Sequence, residues 1–189
     1  MSDGTIGNPP GAPKSAYFLS HADEAVERRT LAVLVDNEPG VLARVVGLFS
    51  GRGYNIDSLT VAEVDASQHR SRITIVTQGT PHILEQIEAQ LLRIVPVGEV
   101  IDITKSKRGI ERELALIKVA GTGEVRVEAL RIAEIFRARV IDTTNESFIF
   151  ELTGASDKIS QFIDLMRPLG LVEVSRTGVL SIKRGKEQG

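Results

Sequence analysis

A chain of 189 residues has room for one large domain or two small ones, and 42% hydrophobic with 25% charged residues is ordinary globular composition. A formal net charge of -2 gives no basic field to draw in nucleic acid or an anionic membrane, and the lack of cysteine excludes disulfide frameworks and thiolate metal sites. Aromatics at 4%, with no tryptophan, leave few stacking platforms for single-stranded nucleic acid.

No apolar run approaches the roughly 20 residues of a membrane span. The start of the chain lacks the basic and apolar regions of a secretory signal. The expectation is a cytoplasmic protein with no membrane or nucleic-acid partner.

Residues 1–27 read as a flexible tail, broken by Gly4, Gly7, Pro9, Pro10, Gly11 and Pro13. The cluster Tyr17-Phe18-Leu19 is a possible contact point within it. Residues 31–35 are a short apolar run, as expected of a strand covered on both faces. An amphipathic helix follows, with Val41, Leu42, Val45, Leu48 and Phe49 at helical spacing and Gly51 and Gly53 ending it. Residues 54–63 and 70–78 read as strands. In the latter Ile73 and Ile75 alternate with Arg72 and Thr74, which predicts one buried face. Thr80-Pro81 is a helix start, a cap followed by proline at the first helical position, with Ile83, Leu84, Ile87 and Leu91 inward. Residues 97–103 are a last strand. The order strand, helix, strand, strand, helix, strand is the ferredoxin-like pattern.

The same order then recurs. Residues 114–119 are a strand and 125–138 a helix, with Ala129, Ile132, Ala133 and Phe136 on one face. Residues 139–143 and 148–152 are strands around the polar turn Thr144-Asn145-Glu146. Residues 156–166 are a helix with Ile159, Phe162, Ile163 and Met166 inward, and 171–175 and 179–182 close the chain. The fold class expected is α+β, two ferredoxin-like βαββαβ modules. The divisions are a tail over 1–27, a first module over 28–104, a linker over 105–110, a second module over 111–185 and a short tail over 186–189. Modules of this size are marginal alone, so mutual packing or dimerisation is expected.

Little in the sequence argues for catalysis. His21, His69 and His82 have no nucleophile or metal-ligand partner nearby, and Glu85, Glu88 and Glu128 fall on helix faces. Phosphate-loop, nucleophile-elbow and zinc-pair motifs are absent. The chain reads as no enzyme on its own, with no catalytic residues and no metal site.

The turn Asp36-Asn37-Glu38-Pro39-Gly40-Val41-Leu42 stands out. A helix starting at Pro39 leaves the N–H groups of Gly40, Val41 and Leu42 free at the positive end of the helix dipole. A carboxylate gains about 0.3–1 kcal/mol from that dipole. Glycine at 40 lets a ligand approach the backbone. The Asn37 amide both donates and accepts. A small zwitterion needs such a combination. Taken alone, the same residues describe a plain helix start, with Asn37 as cap and Gly40 as turn residue. Asn55, at the far end of the helix and the start of the next strand, offers a second amide; if two copies pair through their sheet edges, Asn55 of one can reach the turn of the other.

Residues 28–64, RRTLAVLVDNEPGVLARVVGLFSGRGYNIDSLTVAEV, resemble the ACT domain of the small, regulatory subunit of acetolactate synthase. The segments ERELALIKV (111–119), EIFRARVIDTT (134–144) and RTGVLSIKRG (176–185) resemble the rest of that family. The resemblance implies a catalytic large subunit as partner, carrying thiamine diphosphate, magnesium and FAD, with no cofactor in this chain. It implies activation of that subunit and feedback inhibition by a branched-chain amino acid, expected to be valine. It implies a homodimer with effector at the pair interface. The effector residues are then Asn37, Pro39, Gly40, Val41 and Leu42 from one subunit and Asn55 and Ile56 from the other. Val41, Leu42 and Ile56 are expected to form a small apolar pocket for a branched side chain. The alternative is an ACT-type sensor serving a different enzyme. In the second module the helix start reads Gly121-Thr122-Gly123-Glu124, whose acidic residue repels a carboxylate, so effector sites are expected only in the first.

Two other readings fare worse. RNA-binding modules of this strand and helix order need exposed aromatics on their central strands, which residues 31–35 and 72–78 lack. A small phosphatase of the acylphosphatase type needs an arginine-bearing phosphate loop, and none is evident.

Overall fold

A computed structural model describes residues 25–105 and 109–185. The rest of the N-terminal tail, with Tyr17-Phe18-Leu19, and the C-terminal tail over 186–189 lie outside the described residues. In chain order the first module holds β1 (Glu27–Asp36), α1 (Val41–Arg52), β2 (Ser58–Asp65), β3 (Arg70–Gly79), α2 (Pro81–Leu91) and β4 (Val97–Asp102). The second holds β5 (Gly109–Ala120), α3 (Gly123–Phe136), β6 (Arg139–Thr143), β7 (Ser147–Gly154), α4 (Ser156–Met166), a 3-10 turn (Arg167–Leu169), β8 (Leu171–Arg176) and β9 (Leu180–Lys183). The sheets run β2-β3-β1-β4 and β6-β7-β5-β8, all neighbours antiparallel. Both are ferredoxin-like.

Each helix pair covers one face of its own sheet. In the first module Leu31, Val33, Ile73 and Ile75 meet Val45, Phe49, Leu84 and Ile87. In the second, Ala115, Ile117, Phe148 and Phe150 meet Ala129, Ala133, Ile159 and Phe162. Each large apolar side chain so buried contributes about 1.5–3 kcal/mol. Local chemistry sets the helix ends. The Thr80 side chain accepts from the Ile83 N–H, which fixes the start of α2. Gly53, left-handed at φ 70, ends α1, and the N–H of Tyr54 returns to the Phe49 carbonyl.

Four expectations need correction. Residues 109 and 110, read as linker, belong to β5, because Gly109–Arg112 pair with β9. Glu27, read as tail, opens β1 opposite Gly79. β2 starts at Ser58, not near residue 54. Tyr54 and Ile56 pack against the core from a loop, and Tyr54 N–H is spent on the helix end. Finally, β3 is buried on both faces: Thr74 is 3% and Val76 2% exposed. They lie on the sheet face that carries no helix, with Thr30, Ala32 and Ile103, all buried. β9 and the start of β5 close that face. The Thr60 hydroxyl donates to the Val179 carbonyl (2.8 Å), Ser58 Oγ accepts from the Val179 N–H (2.8 Å), and Arg72 Nη2 donates to the Ser181 carbonyl (2.8 Å).

Candidate functional site

The turn between β1 and α1 is held from the neighbouring hairpin. β1 ends at Asp36 opposite Arg70, and the next N–H, of Asn37, donates to the His69 carbonyl (2.6 Å). The β2–β3 hairpin is itself braced by Asp65, whose Oδ1 accepts from the N–H groups of Ser67 (3.0 Å) and Gln68 (3.1 Å) and the Ser67 hydroxyl (2.6 Å). The Ser67 hydroxyl bond, then the backbone bond from Gln68, hold the Asp65 carboxyl below its usual range against an opposing effect of desolvation, with the Ser67 N–H and Arg70 adding less. His69 therefore serves the turn through its backbone. Its only sequence signal is the Asp65-Ala66-Ser67 pattern of a side chain capping the N–H two residues on.

Gly40 adopts φ 84, so it cannot be a helical residue, and α1 begins at Val41. Pro39 accordingly stands before the helix rather than at its first position. The Val41 N–H donates to the Glu38 carbonyl (3.3 Å), and its side chain is buried in the first core. The Val41 N–H, expected to be free at the helix start, is thus engaged within the turn, and its side chain belongs to the core. Among the described residues no acceptor takes the N–H of Gly40 or Leu42 and no partner takes the Asn37 side chain. Residues 36–40 are all exposed, and nothing lies within 4 Å of where a Gly40 Cβ would stand. Leu42 is exposed beside them.

Asn55 and Ile56 lie at the other end of α1. The Asn55 carbonyl accepts from the Thr77 hydroxyl (2.6 Å), and its side-chain amide donates to Asp57 (2.5 Å). Arg70, beside the turn, and Thr77, beside Asn55, are seven residues apart on β3. At the rise of a strand that is about 23 Å. One chain therefore does not bring the two groups together. It presents an open donor end and a separate amide end, at opposite ends of a sheet whose β2 edge pairs with nothing among the described residues.

The matching turn of the second module is built differently. The Gly121 N–H donates to the Glu146 carbonyl (2.9 Å), as Asn37 does to His69, so glycine stands where the first module has its amide. Gly123 is left-handed, and Glu124 lies in the first turn of α3. Among the described residues no group of three or more histidines and carboxylates is placed to hold a metal ion, and no helix is long and apolar enough to cross a membrane.

Residues 31–99 match the family described as the AHAS small subunit-like ACT domain, and residues 112–185 match the family described as the small subunit of acetolactate synthase. The chain is 47% identical over 161 residues to a probable acetolactate synthase small subunit of Archaeoglobus fulgidus, covering 85% of this chain and 99% of that one. It is 45% identical over 159 residues to the acetolactate synthase isozyme 3 small subunit of Escherichia coli, covering 84% and 96%. The crystal structure of the acetolactate synthase small subunit of Thermotoga maritima superposes with a TM-score of 0.77 at 38% identity, covering 85% of this chain and 99% of that one. Two modules of this topology, both matched in sequence and superposable over nearly the whole relative, place the chain in the family of acetolactate synthase small subunits, the regulatory partners of that enzyme.

Proposed function

We propose that the chain senses a branched-chain amino acid, expected to be valine, and imposes feedback inhibition on the catalytic subunit that it also activates. The observation that carries this is the open turn from Asn37 to Leu42. Its unclaimed Gly40 and Leu42 N–H groups suit a carboxylate, and the Asn37 amide suits an ammonium. Two chains pair so that Asn55 and Ile56 of one complete the turn of the other, which reconciles the site with their distance within a chain. Leu42 and Ile56 supply the apolar contact for a short branched side chain, and Pro39 fixes the chain's approach to Gly40. Sensing belongs to residues 28–104 and contact with the catalytic subunit to 111–185. Thiamine diphosphate, magnesium and FAD belong to the catalytic partner, which performs the chemistry.

The mechanism is a two-state equilibrium. Effector at the seam between two chains favours one arrangement by as much as its affinities for the two differ, and the second modules pass that preference on. Calorimetric titration of the purified chain with valine, leucine and isoleucine tests the reading. Saturable binding of one of them is expected, and no heat from any of the three would sink it.

A further inference from the structure

Both limbs of the proposed effector site end on one short segment of the second module, Val179 just before β9 and Ser181 within it. Ser58 and Thr60 follow Asn55 within five residues, and their hydroxyls engage both backbone groups of Val179. On the other limb, the His69 carbonyl holds Asn37, and three residues later Arg72 donates to the Ser181 carbonyl. Arg72 is largely shielded between the modules, and burial pulls its guanidinium below its ordinary range, partly opposed by Glu99. Its Nε has no partner among the described residues, so the Ser181 carbonyl is a principal satisfaction of a shielded cation.

Gly178 makes the close approach possible. It sits at φ +83, and a Cβ there would lie 2.7 Å from Ser58 Oγ and 3.3 Å from Thr60 Oγ1. Just before this link, at the end of β8, Arg176 forms an ion pair with the buried Glu113, which also accepts from Ser156 at the start of α4 (2.6 Å). A shift of β2 or β3 therefore moves Val179 and Ser181, and with them β8 and the α4 start.

Resting on the sensor reading above, we infer that Ser58, Thr60 and Arg72 form a clasp on residues 178–181 that carries the effector state from the first module to the second. They are positioning residues, outside the proposed effector pocket. The clasp is specific in that it grips backbone, so the identity of the side chains at 179 and 181 matters less than the reach of the three groups that hold them.

The test uses the full chain reconstituted with its catalytic subunit. S58A with T60V removes both hydroxyl contacts at nearly constant volume. Valine affinity by calorimetry and activation in the absence of valine are expected to stay within about twofold of the unaltered chain. The coupling between effector and activity, about 5-fold or more for linked sites, is expected to fall to nearly none. T60S in the S58A background keeps one hydroxyl and restores coupling. G178A, which pries the link from the opposite side, abolishes it. Full valine inhibition in S58A/T60V overturns the clasp, because the two hydroxyls that hold Val179 then carry none of the coupling and Arg72 alone makes no clasp. Loss of valine binding in that variant also overturns it, because the hydroxyls then belong to the site or the fold. An unaltered chain that binds no branched amino acid instead removes the sensor reading on which the clasp rests.

Discussion

In the first module Arg29 is buried on β1 among Glu27, Glu88 and Asp102, with Asp102 on the neighbouring β4. In the second module the matching β5 position is Glu113, and Arg176 on β8 stands where Asp102 does: Leu31 is opposite Asp102, Ala115 opposite Arg176, and Arg29 and Glu113 each lie two residues earlier. The same cross-strand ion pair thus occurs twice with its polarity reversed. The surroundings differ too. Burial opposes the charge on Arg29, but the Glu27 hydrogen bond and the three carboxylates outweigh it and raise its pKa. Glu113 has one cation and a hydroxyl, and the side chain of that cation, Arg176, is 34% exposed. Two copies of one fold keep the geometry of a support while exchanging its charges, so the position matters more than the sign.

The largest difference between the modules is expected where each joins its second helix to its fourth strand, β4 or β8. The Asp36 N–H donates to the Pro96 carbonyl in the first module, and the Ala120 N–H to the Gly170 carbonyl in the second. Gly170 has φ +88, and a Cβ there would lie 2.0 Å from the Ala120 carbonyl oxygen. Gly170→Ala should cost about 3–5 kcal/mol, adding left-handed strain to overpacking. Pro96→Ala should cost only about 1 kcal/mol. Urea melts of both variants check this, and comparable losses would show that the two joints are not differently constrained.

Next come the ion pairs. Arg29→Ala leaves the buried Asp102 without its cation and should destabilise by about 3 kcal/mol. Glu113→Gln keeps the shape and leaves an arginine that water reaches, for about 1 kcal/mol. A larger loss from Glu113→Gln in thermal melts would reverse the ranking of the two supports.

The helix starts give the functional contrast. Gly40→Asp has room for its side chain and sets a carboxylate against the effector's own, so valine affinity should fall roughly tenfold or more. Gly123→Asp, at the matching left-handed turn, should leave affinity unchanged. Calorimetry on both separates a site in the first module from one in the second. Equal losses would mean that the binding site had been assigned to the wrong place.

The smallest effect is acid sensitivity. The Asp65 carboxyl is depressed by the Ser67 hydroxyl and the backbone bonds it accepts. A depressed carboxyl adds stability above its unfolded pKa, and that contribution fades as pH falls through the folded value. In the β6–β7 hairpin the Thr144 hydroxyl accepts from the N–H groups of Glu146 (3.2 Å) and Ser147 (3.0 Å), and it does not titrate. Amide shifts of Ser67 and Gln68 should move only as pH falls below the ordinary carboxylate range, while those of Glu146 and Ser147 hold still. Parallel movement of both pairs would discredit the role given to Asp65.

Local signals made the repeat legible. Val45, Phe49, Leu84 and Ile87 announce their helices by spacing, Thr80-Pro81 marks the start of α2, and the run from Leu31 to Val35 announces a strand buried on both sides. The turn was legible as residues but not as geometry. Pro39 suggested a helix beginning there, whereas the left-handed Gly40 delays it to Val41, and the turn spends the Val41 N–H. The burial of Thr74 and Val76 was not legible, because the strand that covers them lies about a hundred residues later and alternation reports only a strand's own faces. Glu113 and Arg176 look like surface charges in sequence, since pairing across strands leaves no local pattern.

The separation of Asn37 from Asn55 along α1 has one further consequence. Under the proposed pairing, a lone chain carries two half-sites and no whole one, so effector and partner chain become thermodynamically interchangeable. Adding either promotes binding of the other by mass action. A sensor of this design responds to its own abundance as well as to the amino acid: at low copy number more effector is needed to produce the same response.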